Sequence, residues 1–401
     1  MDREKEFAFL HEIEQSHLLQ DFALWPNYLQ KNFREEVIHW NKELFLWQQT
    51  FLKKDLVTIQ KWNTPLPFIL EKQPILSSLG KAILTKRGAG VIILAAGQGS
   101  RLGFPGPKGC LPLPMLQNRS IFAILLHRCR VVCEEMQTTL PIAIITSSSN
   151  HEATRAFLHH HQFFHLDPKS IVLIKQESFP FLDRERNWFL ESPGRISAGS
   201  NGNGSAFLAA KKILQQWKKE GIDWIQVLPI DNLLGRPFDP CIFGCHIFHK
   251  SDLVILTIKK RSVMEQLGVL GEKEGKIGVI EYFEEKKDRD LIFAYLGIFS
   301  CHIDVALQAS NATFSWHFVN KEEKKLVRNA EGWRQVIVPA WKLERFLFDI
   351  FSHAKNFRLI LEKREEAFAP VKSLLGEYSL EKAQKSFLAF ETKILESYTP
   401  N

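Results

Sequence analysis

The chain has 401 residues, 45% of them hydrophobic and 24% charged, an ordinary globular composition that excludes a disordered chain, a coiled coil and a small disulfide scaffold. Apolar runs such as Val91–Ala96 fall far short of the ~20 residues a spanning helix needs, and the opening MDREKEF carries no apolar signal core, so the expected setting is cytoplasmic, away from membranes. The whole net charge of +7 lies in the middle, where residues 86–340 hold 32 Lys and Arg against 25 Asp and Glu, a balance that suits an anionic ligand.

In chain order, residues 1–85 read as a helical segment, with apolar side chains three and four apart at Phe7, Leu10 and Ile13 and again at Phe33, Val37 and Trp40. The tryptophans at 25, 40, 47 and 62 are expected in its core. Pro65, Pro67 and Pro74 punctuate the exit. After Arg87-Gly-Ala-Gly90 the texture alternates. Strands are expected at Val91–Ala96, Ile142–Thr146, Ile171–Ile174, Trp224–Leu228, Leu253–Ile258, Ile277–Tyr282 and Leu291–Ile298. Helices are expected at Ser120–Met136, His151–His161 and Ser205–Glu220. That alternation predicts an α/β domain over 86–340 with a mainly parallel sheet. From Trp341 the pattern reads as helix again, giving a short helical segment over 341–401.

The six cysteines form no C-x-x-C pair, and Cys241, Cys245, His246 and His249 are poorly spaced for zinc. His159-His-His161 points three ways around a helix. The excess of positive charge is spread without a Lys/Arg block, so a nucleic-acid partner is not expected.

The most informative segment runs from Val91 to Gly109, where a strand leads directly into glycines 97, 99 and 103. Glycines there let backbone N–H groups approach phosphate oxygens. The spacing Gly97-x-Gly99-x-x-x-Gly103 is one residue too long for a dinucleotide fingerprint, and the first acid after the loop is Glu134. The G-x-x-x-x-G-K-[ST] loop occurs nowhere. A plain turn has no need of Arg101 and Lys108, whereas a triphosphate needs cations as charge builds on the departing phosphates.

Leu94–Gly103, followed by Gly106-Pro-Lys-Gly109, resembles the L-x-G-G-x-G-T-R-L-G…P-K signature of sugar nucleotidyltransferases. Ordered matches continue through Gln176, Ser197–Gly204, Ile230-Asp-Asn232, Leu267–Val269, Val279-Ile-Glu-Tyr282, Trp341–Phe351 and Arg364–Lys372. Over about residues 90 to 372 the chain is similar to the UDP-sugar pyrophosphorylase family, in particular to its eukaryotic-type UDP-N-acetylglucosamine pyrophosphorylases.

The resemblance implies a Rossmann-like nucleotidyltransferase domain acting on UTP and a sugar 1-phosphate, with N-acetylglucosamine 1-phosphate as the expected sugar and Mg²⁺ as cofactor. It implies that Leu94, Ala96, Gly97, Gln176 and Gly202 meet the uridine and Gly99 the phosphates. It places Arg101 on the leaving pyrophosphate, Lys108 on the transferring phosphoryl group and Lys342 as a distant lysine returning to the phosphates. Asn203, Gly268 and Glu281 fall to the sugar and Asp231 to the metal. Phe293-Ala-Tyr-Leu-Gly-Ile298 aligns with the family's F-N-A-G-N-I, and Ala294 and Gly297 replace both asparagines. A glucose 1-phosphate enzyme or a broad UDP-sugar pyrophosphorylase is therefore the alternative, and a non-catalytic nucleotide-binding regulator the second.

Overall fold

The run Ala89–Leu94 is uncharged and buried except at its last residue, the pattern of a strand covered on both faces. It is the second strand of the central sheet of the protein, described by a computed structural model over residues 7–37, 40–51, 62–281, 291–311, 316–329 and 332–398. Its strands are β1 (Ile69–Leu70), β2 (Ala89–Leu94), β3 (Ile142–Thr146), β4 (Ile171–Lys175), β5 (Trp224–Pro229), β6 (Leu253–Lys259), β7 (Val269–Lys273), β8 (Lys276–Ile280), β9 (Phe293–His302) and β10 (Phe357–Leu361). They run in the order β1-β10-β6-β9-β5-β2-β3-β4, with the β7/β8 hairpin joined to β9. Every pair along that path is parallel except those of β9, which is antiparallel to both β5 and β6. The expected mostly parallel α/β sheet is therefore present. Of the expected strand Ile277–Tyr282, Tyr282 lies outside the described residues.

The longer helices of this region are α1 (Pro74–Thr85), α2 (Ile121–Glu135), α3 (His151–His160), α4 (Ala206–Lys219), α5 (Pro240–His249) and α6 (Leu380–Tyr398). Pro74 starts α1 where its missing N–H costs nothing. Ser120 caps α2 by accepting the Ala123 N–H at 3.0 Å. Helices α1 and α5 cross on two glycines: a Cβ on Gly80 would stand 1.8 Å from the Pro240 carbonyl oxygen, and one on Gly244 equally close to that of Leu76. Alanine at either position would push the helices apart.

The contacts divide the chain into two compact units. The larger comprises residues 61–176, 205–314 and 347–401 and holds the sheet; the smaller comprises 1–60, 177–204 and 315–346. In the smaller unit the helices Asn27–Val37 and Lys42–Phe51 belong with a long antiparallel hairpin, His317–Asn329 against Gly332–Glu344. Its core gathers Leu10, Trp25, Phe33 and Trp40 around Trp188. The Trp188 indole donates to Gln48 Oε1 at 2.7 Å and its backbone N–H to Gln15 Oε1 at 2.9 Å, so both N–H groups of this central tryptophan are matched.

These units do not coincide with blocks ending at 85 and 340. Two expectations are corrected. Residues 61–85 belong with the sheet: Trp62 covers Gly271 and Gly278 of the β7/β8 hairpin, and Ile69–Leu70 forms its edge strand. The stretch from Trp341 is strand up to Glu344, not helix, because thirteen-residue pairing with 317–329 sets Trp341 opposite Asn320. Helix follows as a 3₁₀ turn at Leu347–His353, as the single turn Arg364–Ala367 and as α6.

Candidate active site

The C-terminal ends of β2 and β5 lie side by side, with Leu94 paired to Pro229. Ligands of open α/β sheets bind at such strand ends. From Leu94 the chain enters a closed loop: Gly99 N–H donates to Gly106 O at 2.8 Å, and Lys108 N–H donates to Gly97 O at 3.0 Å. The buried Asn150 amide fixes its root, donating to Ala95 O at 3.0 Å and Gly97 O at 3.3 Å. Gly99 is packed under Phe104, whereas a Cβ on Gly97 would meet nothing within 4 Å. The loop is thus rigid on its inner side and open at Gly97, the face a ligand can approach. Arg101 stands exposed on the same loop.

Lys108 leaves this loop toward the end of β5. Its ammonium donates to Asp231 Oδ2 at 3.4 Å and to the Val371 carbonyl at 3.2 Å. A second ammonium, that of Lys372, lies 3.6 Å from the same Asp231 oxygen. Burial pushes the Asp231 carboxyl up, but Lys372 and Lys108 overcome it and hold the group below the usual carboxylate range. Asp231 is therefore an anion between two cations, and the trio carries one net positive charge.

Lys372 reaches this place because 367–371 is sewn to the end of β5. Asn232 Nδ2 donates to Ala367 O at 2.7 Å and Asn232 Oδ1 accepts from Ala369 N–H at 2.9 Å. Val371 N–H then donates to Asp231 O at 2.8 Å. The sequence reading gave Lys372 no role. Its only signal was its place at the end of the Arg364–Lys372 match, just past a proline that ends local regularity.

Two further groups of expected residues assemble in the larger unit. Gln176 follows β4, is buried, and donates its N–H to Thr146 O at 2.9 Å. Gly268 and Glu281 flank the β7/β8 hairpin, whose register sets Val269 opposite Ile280. A Cβ on Gly268 would lie 3.6 Å from the Glu281 carboxyl carbon, so residues thirteen apart share one spot. Gly297 has φ +75°, and a Cβ there would lie 3.3 Å from the Pro229 ring. Ala294 is buried, and its carbonyl accepts from Thr257 Oγ1 at 2.9 Å.

In the smaller unit Gly202 has φ +83°, and a Cβ would come within 2.2 Å of Arg345 O. Gly204 N–H donates to that same carbonyl at 2.9 Å, so Gly202-Asn203-Gly204 is a tight turn held on the Arg345 backbone. Lys342, the expected distant lysine, sits on the hairpin strand. Its buried ammonium donates to Glu344 at 2.6 Å, and burial lowers its affinity for the proton. The lysine that the C-terminal part of the chain delivers to Asp231 is Lys372.

The thiols are protonated bystanders: burial pushes Cys110 and Cys245 up to about 12. Among the described residues no three His, Cys, Asp or Glu side chains gather to hold a metal ion, and no helix is long and apolar enough to cross a membrane. The sheet defines a Rossmann-like α/β protein, and a glycine turn open to solvent, two ammonium groups and an ionised carboxylate at its parallel strand ends make a candidate anion site.

Comparison with known proteins refines that class. The UTP–glucose-1-phosphate uridylyltransferase family matches residues 23–296. The chain is 31% identical over 312 residues to UDP-N-acetylglucosamine diphosphorylase 2 of Arabidopsis thaliana, covering 72% of this chain and 61% of that one. It is 28% identical over 354 residues to UDP-N-acetylglucosamine pyrophosphorylase of Saccharomyces cerevisiae, covering 79% and 72%. The crystal structure of uridine diphosphate N-acetylglucosamine pyrophosphorylase from Trypanosoma brucei superposes with a TM-score of 0.81 at 23% identity, covering 99% of this chain and 86% of that chain. The protein belongs to the UTP–glucose-1-phosphate uridylyltransferase family. It spans about three fifths of the length of the plant and mouse relatives it matches, 61% and 60%.

Proposed function

We propose that this chain is a UTP-dependent sugar-1-phosphate uridylyltransferase, a nucleotidyltransferase that forms a UDP-sugar and pyrophosphate, with N-acetylglucosamine 1-phosphate as its sugar substrate. The observation that carries this reading is the Lys108–Asp231–Lys372 cluster beside the open Gly97 turn. The names of the plant and yeast relatives support the choice of sugar. A cytoplasmic location agrees with six unpaired cysteines.

In this reaction an oxygen of the sugar phosphate attacks the α-phosphorus of UTP in line, and pyrophosphate leaves with the bonding electrons. No covalent intermediate on the protein is needed, so the work is positioning and charge stabilisation. Leu94, Ala96, Gly97 and Gln176 hold the uridine, Gln176 because its amide donates and accepts at once. Gly268 and Glu281 hold the sugar. Gly99 lets backbone N–H groups meet the phosphates. Lys108 and Lys372 turn to the phosphoryl group under attack, and Arg101 neutralises the departing pyrophosphate. Lys372 takes the part that the resemblance gave to Lys342.

Asp231 fits a divalent cation: it is held ionised, and its oxygens are the hard donors that Mg²⁺ prefers. A bound Mg²⁺ supplies positive charge to the α-phosphate. No group of three His, Cys, Asp or Glu side chains gathers there among the described residues, so water and substrate oxygens would complete the coordination of an ion held by Asp231.

Gly297 favours one second reading, an enzyme for glucose 1-phosphate, since no side-chain amide is available at that position. The test is pyrophosphate release with UTP and Mg²⁺, running N-acetylglucosamine, N-acetylgalactosamine, glucose and galactose 1-phosphates in parallel. Release chiefly with N-acetylglucosamine 1-phosphate supports the first reading. Release chiefly with the hexose phosphates moves the enzyme to the second, and no release with any sugar despite UTP binding leaves a nucleotide-binding regulator.

A further inference from the structure

The carboxylate of Glu265, with a side chain only 2% exposed, is not part of the cluster at Asp231, yet it joins two segments that serve the site. Its Oε2 accepts from the Arg364 guanidinium and from the Arg261 backbone N–H, each at 2.8 Å. Its Oε1 accepts from the Tyr378 hydroxyl at 2.8 Å. Burial and, after it, the hydrogen bond to Glu265 push the Tyr378 phenol up, so it remains a donor throughout the neutral range.

Each partner leads to the site. The Tyr378 carbonyl accepts the Lys372 N–H at 2.9 Å and the Ser373 N–H at 3.4 Å, closing the turn that begins at Lys372. Arg364 opens the segment that is sewn to the end of β5 through Asn232, and its guanidinium lies over Phe368, which packs edge-on against Tyr378. On the other side Glu265 O accepts from Leu267 N–H at 2.9 Å, one residue before Gly268. The carboxylate thus touches both the strap that carries Lys372 and the loop that leads to Gly268.

We propose that Glu265 is a positioning residue, which through Tyr378 and Arg364 holds the Lys372 strap in register with the Gly268 loop and so sets the Lys372 ammonium at the reacting phosphate. This rests on the uridylyltransferase reading above. A purely structural salt bridge would also explain Arg364, since one buried ion pair is enough to pin a strap. It would not explain the Tyr378 hydroxyl on the second oxygen, whose residue bears the carbonyl that Lys372 itself uses. Lys372 is half exposed, so side-chain packing does little to fix it, and the position of its ammonium depends on its backbone.

The test is a double-mutant cycle between Tyr378→Phe and Lys372→Ala, read as kcat and as KM for UTP in the pyrophosphate-release assay. Tyr378→Phe keeps the ring on Phe368 and removes one hydroxyl. It is expected to lower kcat about tenfold with KM for UTP changed less than about twofold, and to add nothing further once Lys372 is alanine. Glu265→Gln should behave alike, and Glu265→Asp should recover part of the loss. Additive losses in the cycle, or a lower melting temperature with kcat untouched in Tyr378→Phe, would overturn the role. A native protein that releases no pyrophosphate with any sugar phosphate overturns the proposed reaction and this role together, whereas an active native protein with an additive cycle overturns this role alone.

Discussion

Two places in this molecule hold one carboxylate between two lysines, and they differ in setting. In the smaller unit Glu344 takes Lys342 at 2.6 Å and Lys321 at 3.6 Å. In the larger unit Asp231 takes Lys108 at 3.4 Å and Lys372 at 3.6 Å. The charge count is the same, so charge alone does not make a phosphate site. The Lys342 ammonium is buried, with 9% of its side chain exposed, and is matched two residues away on its own strand. Lys372 is 48% exposed, and the Asp231 cluster sits where β2 and β5 end beside a glycine turn with open space above it. Looser contacts and partial hydration leave the second pair of cations free to exchange a carboxylate for phosphate oxygens. The first pair would lose a tight buried contact in any such exchange.

That contrast can be broken by substitution. The largest effect is expected from Asp231→Asn, which removes the anion between the two cations and should lower kcat by about 10²–10³ and raise the Mg²⁺ concentration needed for half-maximal rate; titrating Mg²⁺ in the release assay checks both. The depressed Asp231 carboxyl keeps its charge until the pH falls below its ordinary value of 3.8. Its contribution to stability is present above that value and is lost as the pH falls through the lowered one. An acid limb of the rate profile near neutral pH would thus not belong to Asp231. Next comes Arg101→Ala, expected to cost about 10² in kcat with the melting temperature unchanged, since the side chain is exposed.

In the smaller unit the expected effects are on stability. Glu344→Gln leaves Lys342 buried without its nearest counter-charge and should cost about 3 kcal/mol by denaturant melts, while kcat/KM measured well below the transition stays within about twofold of the native protein. The smallest effect belongs to Glu36, which burial lifts from 4.5 to about 7 and which accepts the Ile196 N–H at 3.1 Å. A carboxyl raised on folding binds its proton more tightly in the folded state. Its contribution to stability is complete below about 4.5 and is lost as the pH rises through about 7. Glu36→Gln, which keeps an acceptor for Ile196, should therefore gain roughly 2–4 °C in melting temperature relative to the native protein at pH 8 and not at pH 4.

The same two regions show how far a sequence can be read. Strand Ile142–Thr146 was legible, and the one expected at Val91–Ala96 was legible with bounds two residues late (it runs Ala89–Leu94), because burial on both faces leaves a short run of apolar residues between breakers. Helices α2, α3 and α4 were legible from their 3.6-residue period. The hairpin of the smaller unit was not. Lys321-Glu-Glu-Lys-Lys325 carries no apolar alternation, and Trp341-Lys-Leu-Glu-Arg-Phe fits a helix as well as a strand, so only pairing with distant residues decides it. The glycine turn, Lys108 and Asp231 could be picked out as candidates because their chemistry is local: a turn, a cation and a strand end. Lys372 could not, because what brings it to Asp231 is the Asn232 side chain bonding backbone 135 and 137 residues away. The resemblance points to Lys342, and nothing local in the sequence separates a lysine matched by Glu344 from one that stands beside Asp231.

Lys372 is thus proposed, in place of Lys342, as the second cation at the reacting phosphate. The most direct measurement is pyrophosphate release by Lys372→Ala and Lys342→Ala side by side, each at saturating UTP and sugar 1-phosphate, with folding checked by thermal melts. The account predicts a fall of about 10²–10³ in kcat for Lys372→Ala and a change within about threefold for Lys342→Ala. Equal losses in the two variants, or the larger loss in Lys342→Ala, would contradict it.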